Sequence, residues 1–257
     1  MSDRKVLIQK KDRICTLVLN RPKVMNAWDA ELIYELKDAI DRLASDEEIK
    51  VVVLEGAGGN FSSGADMALL NEELSAPERL KGMKQLGRFM RTLREMPKPI
   101  IAKVRGVAVG AGANLALAAD FVLAASDAKF CEIFVNIGAI LDAGGTYFLP
   151  RLVGLAKARE LALLGEVIEG KAAADIGLIY KSVPDKDLDR EVDALANTLS
   201  QKSSAAMALI KEGLEKSFDM SLGEVLEWEA AHQSIMLQTE EHKEVVRGFL
   251  RSRGKRA

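Results

Sequence analysis

Apolar residues in the first half of the chain fall into short β-branched runs separated by stretches of helical spacing. Residues 6–9 and 14–19 read as strands joined by the polar turn 10–13, and Asn20-Arg21-Pro22-Lys23 breaks the second. Over 29–43, Leu32, Ile33, Leu36, Ile40 and Leu43 recur at helical intervals. A strand over 50–55 leads into the loop 56–65. Ser75-Ala76-Pro77-Glu78 reads as a capping box with proline in the first turn, opening a helix that runs to about Met96 and is closed by Pro97 and Pro99. An apolar strand from Ile100 then enters Gly110-Ala111-Gly112-Ala113 and leaves as an Ala/Leu helix. A strand over 121–125 leads through Lys129 and Phe130 to the turn-rich stretch 136–145. Beyond it the pattern is helical, with candidates over 145–152, 157–164, 170–176, 186–201, 204–216 and 221–237. Only 178–183 reads as a late strand. Strands alternating with helices predict an α/β fold of parallel βα units, with the helical tail as a separate layer. The expected domains are 1–200 and 201–257.

Composition narrows the setting. At 257 residues the chain is one large domain or a domain with an appendage. A net charge of −2 gives no reason to expect nucleic acid or an anionic membrane as partner. Cys15 and Cys131 are too few and too far apart for a disulfide framework or a zinc site, and His232 and His242 form no ligand pattern. Residues 1–11 are polar, and no run approaches 18 apolar residues. The expectation is a cytoplasmic protein without metal.

Two glycine clusters invite a nucleotide reading and fail it. After Gly56-Ala57-Gly58-Gly59-Asn60 the third glycine position holds Phe61, and after Gly110-Ala111-Gly112-Ala113-Asn114 it holds Leu115. Neither is a dinucleotide fingerprint, and neither carries the Gly-Lys-Ser/Thr of a P-loop. Small residues at the start of a helix leave two readings: close packing, or a site for an anion at unpaired amides. Asn60-Phe61-Ser62-Ser63-Gly64-Ala65-Asp66-Met67 forms a second turn of the same kind. Two such turns converging on one oxygen stabilise an oxyanion with main chain alone, worth roughly 3–4 kcal/mol per donor. Asp66 reads as a helix cap. Asp142, between an apolar run and Gly144-Gly145, reads locally as an N-cap; desolvated by that run, it would instead be a proton shuttle.

These segments, in this order, resemble the crotonase (enoyl-CoA hydratase/isomerase) superfamily. The likeness lies in Asn20–Ala27, Phe61–Asp66, 98–117 and 130–154, with a weaker match over 244–253, and covers nearly the whole chain. It implies a spiral of ββα units with a helical C-terminal region, assembled as trimers or dimers of trimers. It implies an acyl-CoA thioester substrate, with coenzyme A as part of the substrate and no further cofactor. By motif the Ala65 and Ala111 amides would hold the thioester oxygen and stabilise an enolate. Contacts to coenzyme A would fall to Lys23, Val24, Ser63, Ala65, Asp66 and Met67, with Phe249 covering it. Where a lysine is common the chain has Ser252, so Arg251 or Arg253 would substitute.

The departures bear on mechanism. The family's hydratases use two glutamates; Asn114 and Phe134 stand at those positions, and Glu132, two residues away on a strand-like stretch, is not the same place. Asn cannot act as a general base. Asn114 then hydrogen-bonds substrate or fills the pocket, with filling preferred, and Phe134 packs against the acyl group. Asp142 aligns with a catalytic aspartate of isomerase and dehalogenase branches, and Asp142-Ala143-Gly144-Gly145-Thr146 is most similar to the ring-epoxide isomerases of phenylacetate degradation. The expected activity is isomerisation of an enoyl- or cyclic acyl-CoA by proton transfer through Asp142. The alternatives are hydration or thioester hydrolysis with Asp142 activating water, and a non-catalytic or RNA-binding role using the basic tail Arg247, Arg251, Arg253, Lys255 and Arg256.

Overall fold

A computed structural model describes residues 4–254. The chain divides into two compact units, Met1–Ser200 and Gln201–Ala257. In the first, strands β1 (Val6–Lys11), β2 (Ile14–Leu19), β3 (Val51–Gly56), β4 (Ile100–Val104), β5 (Val107–Val109), β6 (Phe121–Ala125), β7 (Lys129–Cys131), β8 (Val167–Glu169) and β9 (Lys181–Val183) form two sheets. One is six-stranded, in the order β1-β2-β3-β4-β6-β9, and the other is three-stranded, β5-β7-β8. In the large sheet only the β1–β2 hairpin is antiparallel. In the small sheet β5 and β7 run parallel while β8 returns antiparallel.

The central strands read as continuous apolar runs because both their faces are covered. Val51, Val52, Val53 and Leu54 of β3 are all buried. Helix α1 (Ala30–Ser45) buries Leu32, Leu36, Ile40 and Leu43 of the predicted stripe, and Ala39 with them, while Ile33 is only half-buried. Asp29 caps it, its carboxylate accepting from the Leu32 amide at 2.9 Å. Two short helices follow, α2 (Met67–Leu70) and α4 (Ala111–Leu117), on either side of the long α3 (Ala76–Arg94). Then come α5 (Gly145–Leu164), α6 (Gly170–Asp175) and α7 (Asp185–Ser200), the last burying Leu188, Val192 and Ala196.

The structure departs from the expected elements at four places, each with a local cause. The strand expected to run unbroken from Ile100 to the glycine turn is cut at Gly106, which adopts φ +56° and carries the chain from one sheet to the other. A Cβ there would lie 2.3 Å from Asn60 Oδ1, the atom that accepts from the Val107 amide. The small sheet escaped prediction because its strands are three residues long. The two helices expected over 145–164 form one span interrupted at Gly154, where φ 74° and ψ 162° leave helical space. The late strand begins only at Lys181: the Leu178 and Ile179 amides donate to the Ala173 carbonyl at 2.9 and 3.3 Å, which removes them from the ladder.

The second unit contains α8 (Ser204–Lys216), α9 (Leu222–Met236) and α10 (Glu240–Gly254). Ser221 and Glu224 cap α9 reciprocally, the predicted capping box. Trp228 stacks on His232 with centroids 4.1 Å apart, and both line a cleft of about 870 Å³ together with Leu209, Met236 and His242. Among the described residues, no helix is long and apolar enough to cross a membrane.

One side chain fixes the loops that follow β2 and β3. Asn26 is fully buried and in the left-handed region at φ 55°. Its Nδ2 donates to the Ala57 and Asn60 carbonyls at 2.9 and 2.7 Å, and its Oδ1 accepts from the Arg21 amide at 2.9 Å. Asn26→Ala takes the partner from three main-chain groups of half-buried residues, at about 1–3 kcal/mol each when no water replaces it. The expected result is a loss of about 3 kcal/mol in urea-induced unfolding; a midpoint unchanged from the parent would show that these loops hold without Asn26.

Candidate active site

The two small-residue turns lie against each other. The Ser62 amide donates to the Val107 carbonyl at 2.9 Å, and the Val109 amide donates to the Ser62 carbonyl at 3.0 Å. The Ser62 hydroxyl donates to the Asn26 carbonyl at 2.9 Å and accepts from the Gly64 amide at 3.2 Å. Gly112, in the first turn of α4, sits directly on this residue: a Cβ there would fall 2.5 Å from the Ser62 carbonyl oxygen and 2.8 Å from its Oγ. Gly64, at φ +87°, faces the other turn so closely that a Cβ would lie 2.6 Å from the Val109 carbonyl and 3.4 Å from the Ala111 nitrogen. Glycine is required at both positions, for space at 112 and for conformation as well at 64.

The amides of the residues beside these glycines stay unengaged. Trp28 bridges to this turn, its amide donating to Gly64 and its carbonyl accepting from Asp66, which leaves the Ala65 N–H turned away from the bridge. Ala111 is the first residue of α4, where an amide has no partner inside the helix. Among the described residues neither amide is paired with a main-chain acceptor. Phe134 is buried on the same turn, its ring edge 3.6 Å from where a Gly110 Cβ would stand.

The loop carrying Ser63 to Met67 is tied to the turn after β2. The Ser63 amide donates to the Met25 carbonyl at 2.9 Å and its hydroxyl to the Val24 carbonyl at 3.2 Å. Lys23, Val24 and Met67 are exposed around it. Asp66 caps α2 through the Ala68 amide at 3.1 Å and pairs with Arg21 at 2.9 Å. Those two partners hold its carboxyl below the usual range. Its carboxylate is thus occupied within the loop. Phe249 and Arg251 lie exposed on α10 of the second unit, while His232 of α9 and His242 of α10 are half-buried in its cleft. The side chains of Ser252 and Arg253, and Lys255 and Arg256 altogether, lie outside the described residues.

Asp142 is not the helix cap that its local sequence favours. Gly144, at φ 89°, occupies the cap position of α5 and makes no side-chain cap bond. The Asp142 carbonyl accepts from the Gly145 amide at 2.9 Å and from Asn114 Nδ2 at 2.9 Å. Its side-chain Oδ1 is buried without a partner. Loss of hydration raises its carboxyl to about 6. Asn114 is itself fully buried on α4, packed so tightly against Gly145 that a Cβ there would lie 2.6 Å from Nδ2.

Sequence reasoning set aside one residue that the structure brings here. Glu132 is 5% exposed, and its Oε2 accepts from Asn114 Nδ2 at 3.3 Å. Desolvation raises it to about 7, with the Asp142 charge adding to the shift. A lone acid inside the apolar run Phe130-Cys131-Glu132-Ile133-Phe134 was the available signal. Among the described residues, no group of three or more His, Cys, Asp or Glu side chains is arranged to hold a metal ion.

The geometry has parallels among known proteins. The family model for enoyl-CoA hydratase/isomerase matches residues 9–256. A Rhodobacter capsulatus protein named "Probable enoyl-CoA hydratase" is 38% identical over 98% of this chain and 97% of its own length. The 1,2-epoxyphenylacetyl-CoA isomerase of Escherichia coli is 35% identical over 96% of each. The crystal structure of an enoyl-CoA hydratase from Bacillus anthracis superposes with a TM-score of 0.92 at 26% identity, over 96% of each chain.

Asp142 also gives the folded chain a pH signature. Its proton is held more tightly folded than unfolded, so its contribution to stability falls as pH rises from the unfolded value near 4 through about 6, and is flat above. At roughly 1.4 kcal/mol per unit, discounted for partial solvent screening, the cost at pH 8 is about 1–2 kcal/mol. Asp142→Asn should therefore be more stable than the parent in thermal melts at pH 8, with the difference vanishing below pH 4. Equal stability at both pH values would mean that the carboxyl is not desolvated.

Proposed function

The chain belongs to the enoyl-CoA hydratase/isomerase family and is an acyl-CoA enzyme, and within that family we propose that it is an isomerase that moves a proton through Asp142. The observation that carries this reading is the state of three side chains. Asn114 is buried and braces the Asp142 carbonyl, Phe134 makes an apolar wall, and Asp142 alone keeps an unpartnered carboxyl oxygen beside the turns. By the family resemblance, the first two stand where hydratases carry glutamates.

The proposed cycle uses main chain for charge and one carboxyl for the proton. The Ala65 and Ala111 amides hold the thioester oxygen. Asp142, ionised, takes a proton from carbon; the C–H electron pair moves into the enolate, whose oxygen the two amides stabilise. The same carboxyl then returns the proton to another carbon, and the electron pair reforms the carbonyl with the double bond or ring displaced. A group near pH 6 suits both halves of this exchange, being a base before the transfer and an acid after it. No water is added, and no cofactor beyond the substrate's own coenzyme A enters. Lys23, Val24, Ser63 and Met67 line the proposed coenzyme A path. Asp66 shapes it from within the Arg21 pair. The exposed apolar side chains of the second unit, Ile210, Leu214 and Leu222 among them, support assembly as a homotrimer or a dimer of trimers.

Hydration or hydrolysis, with Asp142 activating water, is the competing reading and is favoured by the hydratase name of the Rhodobacter relative. The two are separated by incubation with 3-enoyl-, 2-enoyl- and cyclic acyl-CoA esters in deuterated water, followed by mass spectrometry. Deuterium exchange with a rearranged product is expected, and a product heavier by one water would sink the isomerase reading. Asp142→Asn should lower turnover by about 10²–10⁴-fold, the range for a lost general base, with acyl-CoA affinity kept. Full activity in that variant would place the chemistry elsewhere.

A further inference from the structure

Glu132 poses a physical problem that the proposed cycle does not solve. It is 5% exposed, at the end of β7 among Phe130, Cys131, Ile133 and Phe134. A carboxyl in such a place is strongly disfavoured unless a cation or several donors meet it. Here one donor does, Asn114 Nδ2 at 3.3 Å. The groups packed around it are Asp142 from the loop before α5, Cys131 beside it in the chain, and Glu166, which shares a small cavity with it. Helix α4 contributes Asn114 and no charged residue, and α5 presents Leu161. Among the described residues no basic side chain pairs with Glu132. Packing alone is served better by an apolar residue at this position.

The carboxamide between the two acids supplies the reason. Asn114 Nδ2 is shared between Glu132 Oε2 and the Asp142 carbonyl at 2.9 Å, while its Oδ1 is buried with no partner. Turned over, the amide would set that oxygen against two acceptors. Glu132 thus fixes which way Asn114 faces, and Asn114 fixes the main chain that carries Asp142. We propose that Glu132 is a positioning residue of the acyl-CoA site, which accepts from the Asn114 carboxamide and so holds it turned toward the Asp142 carbonyl. Asp142, once ionised, makes Glu132 harder to ionise, so the acceptor that steadies Asn114 is the last of the two acids to lose its proton.

This inference rests on Asp142 being the proton-transfer group, and its test separates the two. Glu132→Gln keeps an oxygen for Asn114 and removes the charge; Glu132→Ala removes both. The readouts are the split of kcat from KM for deuterium exchange, rescue by the conservative variant, and the ¹⁵N resonance of the Asn114 carboxamide in the protein without substrate. Expected for Glu132→Gln, which keeps an acceptor, is kcat and KM within about 2-fold of the parent. Glu132→Ala should lose kcat by about tenfold or more with KM little changed, and the Asn114 carboxamide resonance should shift. If Glu132→Ala does not fold, Glu132→Leu, which fills the space without an acceptor, is read in the same way. An Asn114 resonance unmoved in the variant that lacks an acceptor overturns the inference, whatever the turnover. A parent that exchanges no deuterium overturns the role of Asp142 in the cycle and leaves the Asn114 resonance to judge Glu132 by itself.

Discussion

Ser62 seated in the first turn of α4 is the contact on which the rest of the site depends. Its carbonyl and hydroxyl occupy the space that a side chain at 112 would need, so two strand-to-helix turns from distant parts of the chain behave as one rigid piece. The consequence is that the donors at 65 and 111 are fixed by backbone alone. Their alanine side chains take no part, and the N–H groups are already oriented before any ligand arrives. Preorganisation of this kind is what makes main-chain donors effective toward a developing charge. Asn26 extends the same rigidity outward, because it ties the loops after β2 and β3 to the turn that carries Ser62.

Against this neutral frame the site places two acids and no base. Both Asp142 and Glu132 are raised by loss of water rather than lowered by a cation. That arrangement subtracts from stability at neutral pH, and the fold tolerates it because the surrounding core is large and close-packed around β3 and β4. Ion pairs are plentiful elsewhere: Lys103 and Arg105 meet Asp189 at the exposed side of the sheet, well away in kind from the bare carboxyls. Two acids without a cation amid an otherwise well-paired structure are what a functional site, rather than a stable core, requires.

Much of this was legible in the sequence, and the exceptions share a cause. The apolar stripe of α1, the proline-bounded α3 and the central strands declare themselves through periodicity. The two tightly packed turns declare themselves through residue size. What periodicity cannot report is an element too short to repeat its two-residue alternation more than once, and β5, β7 and β8, at three residues each, are of that kind. Asp142 shows a second limit: aspartate before Gly-Gly is a good local cap, but Gly144 takes the cap position and Asn114, 28 residues earlier, takes the Asp142 carbonyl. Glu132 shows a third. Its neighbour is Asn114, 18 residues away in sequence, and only the meeting of β7 with α4 makes them one group.

The packing of Asn114 carries a consequence for substitution. A glutamate in its place would need one more methylene in a position already closed by Gly145 and by the carboxyl of Glu132. It would also abandon the Asp142 carbonyl and set a third acid beside Asp142 and Glu132. A replacement at 114 alone therefore leaves a crowded and charged neighbourhood. The close fit of Asn114 makes three positions one unit: a change at 114 is felt at once by Gly145, by Glu132 and by the main chain of Asp142.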